Sequence, residues 1–147
     1  MPVYYKPTRG YLTPPAVVLG DEVAAGISYK LQEAVSITRT GINSGYGEYL
    51  IDRDVAIWPY LRNRPWIVIA LGTNDGYGDY YPAMVRLRNK INPQAGILAG
   101  TNNPHVIWVL PLNNSWASNN IRRVASEFND LVLDVPNYTE TTRTVAT

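Results

Sequence analysis

The stretch "AVVLGDEVAAGI", Ala16 to Ile27, changes periodicity within two residues. Ala16 to Leu19 is a continuous apolar run, as a strand buried on both faces requires. From Glu22 onward, Val23, Ile27, Leu31 and Ala34 recur at helical spacing, which predicts a helix over 22–34. A strand that enters Gly20-Asp21 and passes at once into a helix places Asp21 and Glu22 at the edge of a sheet. Turns of this build often present a nucleophile, and here the position after Gly20-Asp21 is Glu22.

The same alternation continues along the chain. "AVSITRTG" reads as a second strand and ends in the glycine-rich "GINSGYG", Gly41 to Gly47. Leu50, Asp54/Val55 and Trp58 follow at helical spacing, stopped by Pro59 or shortly after. "WIVIALG", Trp66 to Gly72, is a third strand with "TNDGYG" as its turn. A helix carrying Met84, Leu87, Arg88 and Ile91 starts near Pro82, a favoured first-turn proline. "HVIWVLPL" is a fourth strand. Ser118 is the predicted N-cap of a helix with Ile121, Val124, Ala125 and Phe128 on one face. "LVLDV" is a fifth strand. Strands alternating with helices imply a parallel sheet covered on both sides. In such sheets function gathers beyond the C-terminal ends of the strands. Those ends carry Asp21 and Glu22, Gly41 to Gly47, Gly72 to Asp75, Asn113 to Ser115, and Asp134.

Composition narrows the function classes. At 147 residues the chain reads as one domain with a real core. The net charge of +1 offers no electrostatic argument for nucleic acid or an anionic membrane. No apolar run is long enough to span a bilayer. Cysteine is absent, which excludes disulfides, thiolate metal sites and cysteine nucleophiles. The N-terminus lacks the basic-then-apolar pattern of a signal peptide. Eleven Tyr and four Trp against one Phe form a hydrogen-bonding aromatic set, common at secreted or virion surfaces. Residues 1–15, with four prolines, read as an extended arm, residues 16–138 as the α/β domain and residues 139–147 as a tail. The arms are expected to pack on other subunits.

"VVLGDEVAAG", "INSGYG" and "PWIVIALGTND", in this order and spacing, resemble the first three sequence blocks of the SGNH (GDSL) hydrolases. The likeness covers roughly residues 16–138. It implies a three-layer α/β sandwich with a five-stranded parallel sheet of flavodoxin-like order 2-1-3-4-5. It also implies an esterase-like site in which the nucleophile position falls on Glu22. The oxyanion-hole glycine falls on Gly45, or less directly Gly47, and the oxyanion-hole asparagine on Asn74. The family's Asp and His follow the fifth strand, where "VPNYTETTRTVAT" has neither. Asp134 lies within that strand. The one histidine, His105, precedes the fourth strand, a strand length of about 15 Å from Glu22.

Each candidate has a plain structural reading beside the functional one. Glu22 is a first-turn helix acid, a ligand contact or an acid/base group. Asp21, Glu22 and Asp75 converge on a cation or form a glycosidase-like pair, or stand near strand ends by chance. Asn74 and Asp75 order their turn or face a ligand. Ser44 and Ser115 lie near the functional edge without a histidine beside them. Tyr46, Tyr49, Tyr77, Tyr80 and Tyr81 flank the glycine loops, where aromatic rings suit sugar stacking. The expectation is a non-catalytic structural or binding subunit of a phage or virus particle or an extracellular filament. It self-associates or meets other structural subunits through its arms, and its ligand is a glycan. Asp21, Glu22, Asn74, Asp75, Tyr46 and Tyr77 are the ligand-binding candidates, and no metal or cofactor is expected. The alternative is a carbohydrate-directed esterase or glycosidase.

Overall fold

The structure, a computed structural model, describes residues 3–4, 16–31, 34–53, 66–99 and 105–134. Its strands are β1 (Val3–Tyr4), β2 (Ala16–Gly20), β3 (Val35–Thr38), β4 (Trp66–Ala70), β5 (His105–Val109) and β6 (Leu131–Leu133). Its helices are α1 (Glu22–Lys30), α2 (Gly47–Arg53), α3 (Tyr81–Ala99) and α4 (Ser115–Phe128), with a 3-10 turn at Ser44–Tyr46. The sheet order is β1-β3-β2-β4-β5-β6, and every pair from β3 to β6 is parallel. The five parallel strands thus have the predicted order and the three-layer arrangement. β1 adds an antiparallel edge, with Val3 in register with Ile37 and Tyr4 with Ser36. These two arm residues pair with their own chain, where the sequence pointed to a neighbour. The tail and residues 54–65, including Trp58 and Pro59, lie outside the described residues.

Alternation along each strand divides the core in two. Val17, Leu19, Ile67, Ile69, Val106 and Trp108 face α2, α3 and α4, whose Leu50, Ile51, Met84, Leu87, Ile91, Ile121 and Val124 complete the larger cluster. Ala16, Val18, Val68, Ala70 and Val109 face the other way, with Ala24, Val23 and Ile27 of α1. Small side chains under α1 let the helix lie close to β2 and β4.

At the β2–α1 junction the chain hugs β4. The Asp21 amide donates to Ala70 O at 3.0 Å, and a Cβ at Gly20 would stand 1.9 Å from that carbonyl oxygen. Gly20 also has φ +148°, so only glycine fits. Asp21 Oδ1 then accepts from Val23 N at 2.9 Å and caps α1.

Two helix ends differ from the sequence expectation. α1 stops at Lys30, short of Ala34, because the C-cap Leu31 leaves helical geometry at ψ 81° and Ala34 already leads into β3. α4 starts at Ser115, one turn before Ser118. Asn114 is its N-cap and accepts from Ala117 N at 3.1 Å. The predicted face of Ile121, Val124 and Ala125 is buried, with Phe128 partly so.

α3 is tied to the sheet by a buried charge cluster. Arg88 donates from Nε to Asp130 Oδ2 at 2.7 Å and from a terminal nitrogen to Oδ1 at 2.8 Å. Trp108 Nε1 donates to the same Oδ2 at 2.9 Å. No helix among the described residues is long and apolar enough to cross a membrane.

Candidate functional site

The C-terminal ends of β2, β3 and β4 bring Glu22, Gly41 and Asn74 together. Glu22 Oε1 accepts from Gly41 N at 2.9 Å and from Asn74 Nδ2 at 3.1 Å. The second hydrogen of Asn74 Nδ2 goes to Ile42 O at 2.8 Å, which fixes the amide between the two loops. Gly41 has φ +85°, a conformation that disfavours a side chain, and this turn aims its N–H at the glutamate. The Gly41 amide, the Glu22 backbone amide and Asn74 hold the Glu22 carboxyl below its ordinary pKa, in that order of strength.

The sequence had placed the backbone donor at Gly45, or at Gly47. The backbone donor that meets the Glu22 carboxylate is the Gly41 N–H. Gly45 lies in the 3-10 turn, and Gly47 opens α2 with Leu71 and Leu87 pressed against its Cα. Gly41 was legible only as the first of several glycines after a strand; its positive φ depends on how the loop closes over α1.

The three acids do not converge. Asp21 is fully buried, and burial raises its carboxyl above the ordinary range. Asp75 turns away from Glu22. Its Oδ1 accepts from Ser44 N and its Oδ2 from Ser44 Oγ, both at 2.7 Å. That pair locks the "INSG" loop to the "TNDG" turn, and it commits Ser44 to a carboxylate. Among the described residues no group of three or more His, Cys, Asp or Glu is placed to hold a metal ion. His105 is the first residue of β5, in register with Trp66 at the opposite end of the strands from Glu22.

Asn114 ties the rim together. Its Nδ2 donates to Gly72 O and Asp75 O, each at 2.9 Å, while its Oδ1 caps α4. Beyond this knot stand the aromatic residues. Tyr77 is 88% exposed and meets Trp116 edge-on, with ring centroids 6.1 Å apart. Trp116 Nε1 donates to Gly78 O at 3.0 Å, which holds the indole in place. The sequence reading missed Trp116 because it sits in the first turn of a helix expected to begin later.

Tyr46, the other aromatic candidate, is engaged. Arg39 lies over its ring at 5.5 Å, Tyr49 packs edge-on at 4.8 Å, and its hydroxyl accepts from Arg39 at 3.2 Å. Tyr80 packs on the core, and Tyr81 bonds Glu127 under the Arg123 guanidinium. Of the six predicted ligand contacts, Asp21 and Asp75 are buried, while Glu22, Asn74, Tyr46 and Tyr77 reach solvent, Tyr46 with its ring and hydroxyl engaged by Arg39.

No family model, curated protein or solved structure matches the chain.

Proposed function

We propose that this chain is a non-catalytic, SGNH-like domain, a hydrolase frame whose anion-stabilising donors are taken by its own glutamate. It serves as a binding and structural subunit of an assembly, such as a phage or virus particle or an extracellular filament. The observation that carries the reading is Glu22 Oε1, which receives both the Gly41 N–H and the Asn74 amide. Acyl transfer needs such donors open to a developing oxyanion. A carboxylate already seated there satisfies them and repels a second negative charge. A carboxylate is also a weak nucleophile toward esters, and among the described residues no histidine stands at this edge to activate water. The paired-acid alternative loses support too, since Asp21 is buried and Asp75 is spent on Ser44.

Two further features support the binding and assembly parts. The anchored Tyr77–Trp116 pair offers rigid, exposed aromatic surface beside polar loops, the kind of surface on which a sugar ring stacks. β6 carries Leu131, Val132 and Leu133, all exposed, on the sheet edge opposite β1. Such an edge suits contact with a second copy.

The purified chain is expected to give no turnover above background on aryl acetates or aryl glycosides. Turnover that persists through purification and disappears in Asn74→Ala would overturn the proposal.

A further inference from the structure

The rings of Tyr77 and Trp116 meet at 71° with centroids 6.1 Å apart, so together they form two walls of a corner open to solvent. The indole is held in place, because its Nε1 is spent on Gly78 O. It therefore offers a ligand its carbon surface and no hydrogen bond. Polar side chains border the corner. Ser115 precedes the indole on α4, and Asn119 stands about one helical turn beyond it. Both are exposed, and neither side chain makes a hydrogen bond among the described residues. Asp79, also exposed, follows the glycine whose carbonyl holds the indole. Its Oδ1 accepts from Tyr81 N at 3.3 Å, which leaves Oδ2 as an acceptor. The charge nearest the corner is thus negative. Arg39, Arg86, Arg88, Lys90, Arg122 and Arg123 are each engaged by a carboxylate or an aromatic ring of the same chain.

A pyranose with equatorial hydroxyls presents axial C–H groups on its faces and hydroxyls around its rim. That matches an apolar corner bordered by donors and acceptors. We propose that Tyr77 and Trp116 hold one neutral pyranose, and that the site discriminates against uronic acids and other anionic sugars. A face of the ring lies on one wall of the corner, and Asp79, Ser115 and Asn119 take its rim hydroxyls. A carboxylate on the same sugar faces Asp79, with none of those six cations free to balance it. The proposal rests on the binding part of the functional reading above and adds the class of ligand to it. The two fail separately: an acidic sugar seated on the same rings would leave that reading in place and remove this one.

The test is an NMR titration of the full chain with methyl β-glucopyranoside and, separately, with methyl β-glucopyranosiduronate. The two differ only in the carboxylate, and low salt keeps exposed charges unscreened. The neutral glycoside is expected to give saturable shifts at the Tyr77 amide and at the Trp116 indole N–H, the latter assigned by its loss in Trp116→Phe. Half-saturation should fall on the order of 10 mM, as suits so small a ligand. The neutral glycoside should bind more tightly than the glucuronide by about threefold or more, the scale of one exposed charge pair. Asp79→Asn should narrow that gap. Tyr77 is 88% exposed, so Tyr77→Ala keeps a dispersed spectrum and should abolish the shifts at Trp116. No saturable shifts in the native chain, undiminished shifts in Tyr77→Ala, or a glucuronide that binds as tightly as the glucoside would each overturn the proposal. The glucoside–glucuronide comparison uses the native chain alone and decides even if a variant does not fold.

Discussion

Asp21 and Glu22 are adjacent carboxylates with opposite pH behaviour, and the difference lies in what surrounds each one. Asp21 was legible as a helix cap and as a ligand candidate, but its burial was not, because burial depends on β4 closing over Gly20. Its Oδ1 caps α1, while Oδ2 is buried without a hydrogen-bond partner among the described residues. Burial raises its pKa most, the Val23 amide opposes this, the Glu22 charge adds to the rise, and the Ala24 and Thr73 amides oppose it weakly. A carboxyl whose folded pKa is raised binds its proton more tightly in the fold than in the unfolded chain. The fold is therefore favoured below the ordinary Asp range. It loses stability as pH rises, until Asp21 ionises in the folded state too. Asp21→Asn keeps a capping oxygen and cannot ionise. Urea melts of both proteins from about pH 3 to pH 8 start below the unfolded Asp pKa and follow the change upward from there. The stability of the native chain relative to Asp21→Asn should decline as pH rises through this window. A flat difference would show that Asp21 ionises as easily in the fold as outside it. Glu22 has the opposite sign. Its lowered pKa contributes stability above the ordinary Glu range, lost as pH falls through the folded value. The comparison with Glu22→Gln should therefore slope the other way.

Among the elements, the strands were the most legible, because apolar runs bounded by glycine signals need no distant information. Ala16–Gly20, Trp66–Ala70 and His105–Val109 fall within their predicted stretches. Helix ends were less legible. Asn114 and Ser118 are equally good caps as residue types, and Asn114 wins because its amide also bridges Gly72 and Asp75. Ion pairs between elements were not legible at all. Arg88 falls on the apolar face of α3, but nothing local names Asp130 as its partner. In the fold the two side chains are 5% and 3% exposed, and the Phe128 ring lies under the guanidinium at 4.9 Å. Removing one member strands a buried charge, so Asp130→Ala should destabilise by about 3–5 kcal/mol. The double change Arg88→Met/Asp130→Leu should recover most of that loss, because it removes both charges and retains apolar volume. Equilibrium urea unfolding of the three proteins checks both expectations. A loss below about 1 kcal/mol for Asp130→Ala, the level of an exposed pair, would mean that the bridge is solvated in solution.

The two faces of the whole sheet are clothed unequally among the described residues. α2, α3 and α4 lie on one face, and α1 on the other, where it packs over β2, β3 and β4. Register places Leu131 beside Ile107 and Leu133 beside Val109, and Val109 belongs to the α1-side cluster. Leu131 and Leu133 therefore point to the α1 side of the sheet, beyond α1, and are 53% and 40% exposed. Trp66, on the same face at the start of β4, is 37% exposed. Apolar side chains gathered on one sheet face favour association, at about 25 cal/mol per Å2 removed from water, before the cost of immobilising two molecules. A two-fold axis beside β6 would bring this face against its copy, as isologous dimers require. Few side chains are involved, and stable interfaces bury about 1,200–2,000 Å2. The association is accordingly expected at concentrations on the order of 100 µM, well above the nanomolar range of a tight dimer. Light scattering and sedimentation over about 10–500 µM should give a mass that rises toward twice the monomer. Leu133→Lys should hold the chain at monomer mass. It places two like charges across the axis, and at an exposed position it should change fold stability by only about 0.5 kcal/mol. A native chain that stays monomeric across this range, or a Leu133→Lys variant that associates equally well, would remove β6 as a contact surface and leave the assembly reading without its structural support.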